Sequence, residues 1–363
     1  MSNYIIQNAK YAVCVDDTNQ ILENATIVIE NGVIAQINPG EIPSDEKYEI
    51  FNASGHLVMP GLINTHTHLA MALLRGWAEG VNLDGFLQRV WAAEGAIMDG
   101  ETCALGTELG AGEALLSGTT TALDMYLHPE ATHKSAVGVG LRHITGPIFF
   151  DFAGLDGLEW KERIEFARQW PGLHKEIGGA QTPIFFMPHS VYTDSEAHLI
   201  EVAALAVEYG ARIHLHVSET EAENAMSMNM HGRTPTEVIR DAGILDLPTT
   251  YGHGVYLSDD DIETTAHHHA SIAHCPGSNL KLGNGIANIR KYQNAGITVG
   301  LGTDSCSSSN DLDMWSVLRL AAQLVTLTSR PEELDLTMII RAATIEGAGA
   351  VGLSHVIGSI EIG

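Results

Sequence analysis

Basic residues are scarce in this chain of 363 residues. Lysine and arginine together number 19, against 45 aspartates and glutamates, and the formal net charge is -26 at pH 7. A surface this acidic repels phosphate backbones and anionic lipid headgroups. The composition therefore argues against nucleic acid or membrane as a partner, and we expect a small-molecule substrate.

Paired cysteines and long apolar runs are also missing. The four cysteines are scattered and form no C-x-x-C pair, which argues against a disulfide framework or a thiolate zinc site. No uncharged run reaches the 18 residues needed to span a bilayer, and the N-terminus lacks the pattern of a signal peptide. We expect a soluble, cytoplasmic protein.

The first 55 residues are rich in short β-type runs. These runs cover residues 4–6, 11–15, 25–29 and 33–37, and turn residues separate them. Asn31 and Gly32, between the last two runs, form a strong hairpin signal. The pattern predicts a small antiparallel sheet over residues 1–55.

From His56 onward, apolar runs alternate with helical stretches, which is typical of a (β/α)8 barrel of the TIM type over residues 56–355. The apolar runs cover residues 57–63, 119–125, 141–149, 183–188, 212–217, 249–253, 271–275 and 297–301. Helical patterns include residues 101–116, 195–209, 236–242 and 311–327. A doubly wound open sheet is the rival, but no glycine-rich phosphate loop follows the first strand.

Two histidines, His66 and His68, end the first of these apolar runs. Side chains two residues apart on a strand share a face, so both imidazoles, about 7 Å apart, can converge on one cation. With 18 histidines in the chain, the pair alone is also compatible with chance. The remaining ligands decide between these interpretations.

The active site of such a barrel lies at the C-terminal ends of its strands. The polar residues at those ends form a set: His66, His68, His189, His214, His216, Glu219, His253, His274 and Asp304. Each needs a partner when buried, so a purely structural role for the whole set is costly.

A metal site of three nitrogens and one carboxylate follows from His66, His68, one histidine of the fifth strand and Asp304. Of the two candidates on that strand, His216 lies nearer the barrel mouth than His214 and is the preferred ligand. Such a donor set suits one divalent ion, zinc in first place and ferrous iron as the alternative, and leaves a position for water.

The residues around this site suggest a hydrolytic deamination. A bound cation lowers the pKa of its water towards about 7, giving a hydroxide that attacks the amino-bearing carbon of a ring. Glu219 is placed to carry a proton to the adjacent ring nitrogen. His253 stabilises the developing centre, and Asp304 relays the second proton to the leaving ammonia.

Several motifs resemble the amidohydrolase superfamily, in its branch of aminohydrolases, and most of all the 5'-methylthioadenosine/S-adenosylhomocysteine deaminases. These motifs are Pro60–His68, Leu74–Gly76, His216–Thr220, Ser278–Ile286 and Leu301–Asp304. The resemblance implies metal ligands at His66, His68, His216 and Asp304, a proton-shuttling Glu219, and His253 on the sixth strand. It further implies a ribose-binding Glu94 and substrate contact by His189.

One departure from that family concerns an arginine after the third strand, which contacts the distal part of the substrate. This chain has Thr145-Gly146-Pro147 there, and Arg142 is interpreted as a structural residue of the strand. The same family has a composite β-sandwich built from both chain ends. We therefore expect residues 356–363 to begin a return to the N-terminal sheet, with the rest of that return missing.

The favoured hypothesis is a deaminase of an adenosine-type nucleoside, a hydrolase acting on carbon–nitrogen bonds in cyclic amidines. Deamination of guanine, 8-oxoguanine or a pterin, and hydrolytic dechlorination of an s-triazine, are the alternatives on the same scaffold. A barrel without catalysis is a third, but all four ligands are present. We expect a homo-oligomer.

Overall fold

The computed structural model describes residues 3–41 and 47–363, which contain two sheets. The smaller sheet consists of β1 (Asn3–Val13), β2 (Ile21–Glu30), β3 (Val33–Ile37), β4 (Tyr48–Asn52) and β5 (Leu57–Val58). Its order is β3-β2-β1-β4, with β5 also paired to β1. The predicted hairpin at Asn31-Gly32 is confirmed, because β2 and β3 pair antiparallel and both turn residues have positive φ.

The prediction of a purely antiparallel sheet is wrong. Both β4 and β5 pair parallel to β1, and β4 has no counterpart among the predicted strands. The predicted barrel strand at residues 57–63 also divides into two elements: Leu57–Val58 joins the small sheet, and the barrel strand starts at Leu62. Pro60 separates the two, since proline has no N–H for a sheet ladder.

The larger sheet has ten strands, paired parallel throughout. They are β6 (Leu62–His68), β7 (Thr119–Asp124), β8 (Arg142–Ile144), β9 (Ile148–Phe149), β10 (Phe185–Pro188), β11 (Arg212–Val217), β12 (Thr249–His253), β13 (Ser271–His274), β14 (Val299–Leu301) and β15 (Asp304–Ser305). The order is β8-β7-β6-β14-β13-β12-β11-β10-β9, with β15 also paired to β6.

The strand path closes through the third barrel strand, which is divided into two pieces. β8 pairs with β7, whereas β9 pairs with β10 on the other side, and residues 145–147 alone separate them. A Cβ at Gly146 would lie 1.9 Å from the carbonyl oxygen of Phe185, so the close approach at this break requires glycine. The predicted α/β barrel architecture is confirmed at this level.

Helices follow the strands in sequence. They are α1 (Leu83–Ile97), α2 (Gly100–Leu116), α3 (Pro129–Gly138), α4 (Trp160–Glu176), α5 (Glu196–Tyr209), α6 (Glu221–His231), α7 (Pro235–Asp241), α8 (Asp259–His267), α9 (Pro276–Lys281), α10 (Ile289–Asn294), α11 (Cys306–Ser309), α12 (Met314–Thr328), α13 (Leu336–Ala342) and α14 (Ile345–Ala350). The four predicted helical segments match α2, α5, α7 and α12 to within three residues. No helix in the described part of the chain is long and apolar enough to cross a membrane.

Strand β11 shows how the sequence separates core from site. Ile213, Leu215 and Val217 belong to the main apolar core, which also takes in side chains of the surrounding helices. The intervening His214 and His216 point to the opposite face, because strand side chains alternate. Apolar and polar residues of one strand thus serve two different environments.

The last residues of the chain lie against the small sheet. The Ile360 N–H donates to the Cys14 carbonyl, and the Ile360 side chain is buried with residues of β1 and β2. The composite sandwich, its missing part and the domain bounds at residues 55 and 355 stay predictions.

Candidate active site

His66 and His68 lie at the end of β6, with ring centroids 4.9 Å apart. His66 is fully buried, and its Nδ1 lies 2.8 Å from Nε2 of His214. The Nδ1 of His214 lies 2.8 Å from the carbonyl of Thr250, an obligate acceptor. His214 therefore donates from Nδ1 and accepts at Nε2, which places the proton of His66 on Nδ1 and leaves its Nε2 with a free lone pair.

The same tautomer holds at the two other predicted histidine ligands. Nδ1 of His68 donates to the carbonyl of Met125, and Nδ1 of His216 donates to the carbonyl of His189 at 2.9 Å. Each donation turns Nε2 towards the site, and in His216 it leaves Nε2 unprotonated. Against the effect of burial, the Asp304 carboxylate raises the pKa of His68 to about 9, so Nε2 of His68 gives up a proton when a cation binds. Burial and the neighbouring histidines also lower the pKa of His216 well below its usual value, which favours the neutral imidazole that a metal requires.

Asp304 supplies the carboxylate at the same place. Its Oδ1 lies 3.1 Å from Nε2 of His68 and 3.4 Å from Nε2 of His66, while Oδ2 accepts a hydrogen bond of 2.7 Å from Ser308. The carboxylate thus has one oxygen held by the protein and one turned towards the imidazoles.

These residues fit a divalent cation. The ligand atoms of His66, His68 and His216 lie within 4.8 Å of one another, as do those of His66, His253 and Asp304. Nε2 of His66 is buried without a hydrogen-bond partner, which is costly unless an ion uses its lone pair. Gly252 lies directly against the rings, since a Cβ there would be in van der Waals contact, at 3.4 Å, with atoms of His66 and His216.

Glu219 lies beside this group and is 3% exposed. Its Oε1 accepts a hydrogen bond of 2.8 Å from the amide of Asn284, and its Oε2 lies 3.7 Å from Nε2 of His253. His253 in turn donates from Nδ1 to the side-chain oxygen of Asn279 at 2.9 Å. Burial raises the pKa of Glu219. The free oxygen of Glu219 and the free nitrogen of His253 therefore face each other next to the metal ligands.

A second carboxylate, Glu223, holds the backbone beneath Glu219. It accepts the N–H groups of Ser218 and Glu219 at 3.0 and 2.7 Å. Sequence reasoning missed Glu223, Asn279 and Asn284. The two asparagines lie within the Ser278–Ile286 motif, so a signal was present, but the motif does not say which side chain they meet.

Three residues around the site have left-handed backbone conformations. Ser218, His253 and Asp304 have φ values of 51°, 71° and 57°, in the left-handed region that side chains other than glycine rarely occupy. Such conformations persist only where the surrounding structure enforces them, and they cluster at functional sites.

Glu94 and His189 lie in the same cavity. Glu94, on α1, accepts a hydrogen bond of 2.7 Å from the hydroxyl of Tyr126, and burial raises its pKa to about 7. His189 follows β10, with Nδ1 3.2 Å from the hydroxyls of Ser190 and Thr193. Burial lowers the pKa of His189 to about 3, so the ring is neutral.

One cavity joins these groups. Its lining includes His68, Glu94, His189, His216, Glu219, His253 and Asp304, together with apolar side chains from α1 and from the segments after β7 and β9. The structure thus brings together seven of the eight predicted site residues at the cavity wall, and the eighth, His66, lies directly behind it. Their catalytic and binding roles stay predictions.

Two further sequence interpretations concern His274 and Arg142. His274 is buried at the end of β13, and neither ring nitrogen has a hydrogen-bond partner within the described chain. Arg142 begins β8 and lies in a different depression, beside Pro60 and residues 353–363. It is therefore far from the cavity, in agreement with a structural role.

The amidohydrolase family model matches residues 57–363. The chain belongs to the amidohydrolase family. It is accordingly a metal-dependent hydrolase that acts on carbon–nitrogen bonds. A 5-methylthioadenosine/S-adenosylhomocysteine deaminase of Bacillus cereus (strain AH820) is 36% identical over 362 residues, which cover 97% of this chain and 81% of the relative. The predicted resemblance to such deaminases is confirmed.

Solved structures of this family are similar over nearly the whole chain. A zinc-bound adenosine deaminase from Xanthomonas campestris superposes with a TM-score of 0.88 at 32% identity, covering 100% of this chain and 83% of the other. A variant of an atrazine chlorohydrolase from Arthrobacter aurescens TC1, complexed with zinc and atraton, gives a TM-score of 0.90 at 25% identity, covering 99% and 85%. Both predicted chemistries therefore occur among the structural neighbours.

Proposed function

We propose that this protein is a zinc-dependent deaminase of adenine nucleosides. The observation that carries the proposal is the convergence of three imidazole Nε2 atoms and Asp304 beside a buried, hydrogen-bonded Glu219. The zinc in the similar adenosine deaminase supports zinc over iron, since both suit the same donors.

Four residues would hold the ion: His66, His68, His216 and Asp304. When bound there, a divalent cation supplies a water of lowered pKa, and hence a nucleophile near neutral pH. The Nδ1 contacts with His214, Met125 and His189 hold the three rings so that their Nε2 atoms face the site.

Proton transfer is assigned to Glu219. Its Oε1 is held by Asn284 and its backbone N–H by Glu223, so Oε2 keeps a fixed direction towards the centre of the site. In that position it takes a proton from the attacking water and delivers it to the ring nitrogen next to the amino-bearing carbon. This makes the ring carbon electrophilic enough to be attacked.

His253 and Asp304 act on the two groups that are exchanged at the reacting carbon, the oxygen that adds and the ammonia that leaves. His253, held through Nδ1 by Asn279, orients Nε2 towards the oxygen that adds to the ring. Asp304, anchored by Ser308, takes the proton of the hydroxyl that has added to the ring carbon and passes it to the departing ammonia.

Substrate binding is assigned to His189 and Glu94. The neutral His189 ring faces the cavity beside His216, with ring centroids 4.6 Å apart, where it contacts the purine or the sugar. The Glu94 carboxylate accepts hydrogen bonds from ribose hydroxyls, which lie one ring further from the ion.

Ammonia release tests the proposal. The purified zinc enzyme is assayed with methylthioadenosine, adenosine, S-adenosylhomocysteine, guanine, 8-oxoguanine, a pterin and atrazine. We expect ammonia from at least one adenine nucleoside with a kcat/KM at least 100-fold above that for the other rings. Chloride release from atrazine without ammonia from any purine would overturn the proposal and favour dechlorination, the reaction of an atrazine chlorohydrolase such as the Arthrobacter neighbour.

The expectation of a cytoplasmic homo-oligomer stays a prediction. Light scattering of the full chain measures the oligomeric state directly.

A further inference from the structure

Helix α1 forms one wall of the cavity with side chains at helical spacing. Leu83, Phe86, Leu87, Val90, Trp91 and Glu94 all line the cavity. Separations of three and four residues place side chains on one helix face. Glu94 is the carboxylate at the end of this row, and the residues before it, from Leu83 to Trp91, present an apolar surface over about 12 Å of helix, at 1.5 Å per residue.

A second group of apolar side chains lines the cavity and belongs to the same buried apolar cluster as Phe86 and Val90. It is formed by residues that follow β7 and β9, namely Leu127, Phe150 and Leu155, together with Ile148 of β9 itself. The carboxylates and histidines of the cavity are gathered around the metal ligands and at Glu94. We expect a substrate that reaches beyond Glu94 to meet the hydrocarbon of these two groups of side chains.

No cation is available to a charged tail in this region. None of the described residues that line the cavity is lysine or arginine. Arg163 lies behind Phe150, 5.1 Å from the ring centroid, but its guanidinium donates to the Asp156 carboxylate and the Ile148 carbonyl. In the segment after the third strand where the related deaminases have an arginine, this chain has Gly146. A side chain does not fit there, because a Cβ would lie 1.9 Å from the carbonyl oxygen of Phe185.

Resting on the proposed function, we propose that the site selects adenine nucleosides whose 5' substituent is uncharged and apolar, and rejects a carboxylate or phosphate at that end. Burying an ionised carboxylate without a counter-charge is strongly unfavourable, whereas each buried methylene group increases affinity about fourfold. The specificity determinant is the apolar face of α1 between Leu83 and Val90.

A matched pair of ligands tests this selection. 5'-Butylthio-adenosine and 5'-(3-carboxypropylthio)-adenosine have tails of the same length and differ in one terminal group. We expect the carboxylated ligand to bind the zinc-loaded Glu219→Gln variant at least 100-fold more weakly than the butyl ligand does. With the native enzyme, its kcat/KM should be lower than that of the butyl ligand by a similar factor. Affinity should rise about fourfold per methylene from methylthio to ethylthio and propylthio.

Salt separates the local effect from the overall negative charge. In 0.5 M NaCl, repulsion between distant charges is screened, but the cost of burying the carboxylate is not. We expect the ratio between the two ligands to persist. A ratio that collapses towards one would assign the selection to net charge and overturn the proposed role of the cavity wall.

Leu87→Arg places a cation on the apolar face of α1, and Gln88→Arg adds the same charge at an exposed neighbouring position. The first should strengthen binding of the carboxylated ligand at least tenfold relative to the butyl ligand, and the second should leave the ratio unchanged. An unchanged ratio in Leu87→Arg would overturn the assignment to α1.

The two proposals fail in different ways. Equal use of the neutral and carboxylated nucleosides overturns the selection alone. Absence of ammonia from every adenine nucleoside overturns the proposed function and the selection with it.

Discussion

His214 lies behind the metal ligands, where its Nε2 accepts the Nδ1 proton of His66 and its own Nδ1 donates to Thr250. Sequence reasoning interpreted it as a satisfied core histidine, and the structure adds that its acceptor nitrogen sets the tautomer of a ligand. Residues in this layer usually affect metal binding strongly without touching the ion.

Replacing His214 by phenylalanine should weaken metal binding about 10- to 100-fold, because the buried N–H of His66 loses its acceptor and the ring its orientation. The measurement is a competition titration against a chromogenic chelator. His267→Phe, at an exposed position of α8, is the matched control and should bind the metal as the native protein does. Native affinity in a folded His214→Phe protein would contradict the role given to His214.

At the residue scale, the sequence predicts ligands better than their supports. His66, His68, His216 and Asp304 end strands, and the barrel pattern alone places strand ends at one mouth. Asn284 lies 65 residues from Glu219, and periodicity gives no information about which distant loop meets a side chain. Glu223 is an acidic residue in the first turn of α6, and from the sequence such a residue is ordinarily expected to be exposed to solvent.

At the scale of elements, α3, β8 and α4 enclose a buried histidine cluster away from the cavity. Nδ1 of His133 lies 3.2 Å from Nδ1 of His143, whose Nε2 lies 2.9 Å from the Asp124 carboxylate. The ring of His174 packs against that of His133, with centroids 4.8 Å apart and ring planes tilted by 49°, and contacts the Thr182 hydroxyl. Burial and neighbouring histidines lower the pKa of His133 to about 3 and that of His174 to about 4.

These pKa values predict acid sensitivity. The unfolded chain binds protons at these histidines near pH 6.5, whereas the folded chain binds them only near pH 3 to 4. The free energy of unfolding is therefore highest above pH 6.5 and decreases as the pH falls from about 6.5 towards 3. Chemical denaturation between pH 7 and 4.5 measures the slope.

His133→Leu removes one of these titrations and should reduce the slope by about 1.4 kcal/mol per pH unit. His355→Leu, at an exposed position, should leave the slope unchanged. An identical slope in native protein and His133→Leu would show that this cluster does not control acid stability.

Elements were predictable where a periodic run stood between turn residues. The α2, α5 and α12 segments carry such runs, whereas α1 was not predicted although Asn82 caps it and Leu83, Phe86, Leu87 and Val90 repeat at helical spacing. The signal was therefore present for the helix that lines the cavity. The parallel pairing of β4 with β1 depends on a crossover that local patterns do not encode.

At the scale of the whole molecule, the metal site joins parts of the chain that are far apart in sequence. Its ligands come from β6, β11 and β15, so closure of the barrel is what assembles the site. The alternation of strands and helices was sufficient to predict that closure. The division of the third strand into β8 and β9 was not, because it depends on the approach of Gly146 to Phe185.

The most direct test of the account compares bound zinc and ammonia release in two variants, His66→Ala and Glu219→Gln, with the native protein. Zinc content is measured by elemental analysis, and turnover with the best adenine nucleoside of the panel. We predict that His66→Ala loses both zinc and turnover, whereas Glu219→Gln keeps one zinc per chain and loses at least about 100-fold in kcat, since a general acid–base group contributes about 100- to 10,000-fold. Native turnover in zinc-loaded Glu219→Gln would contradict the central claim.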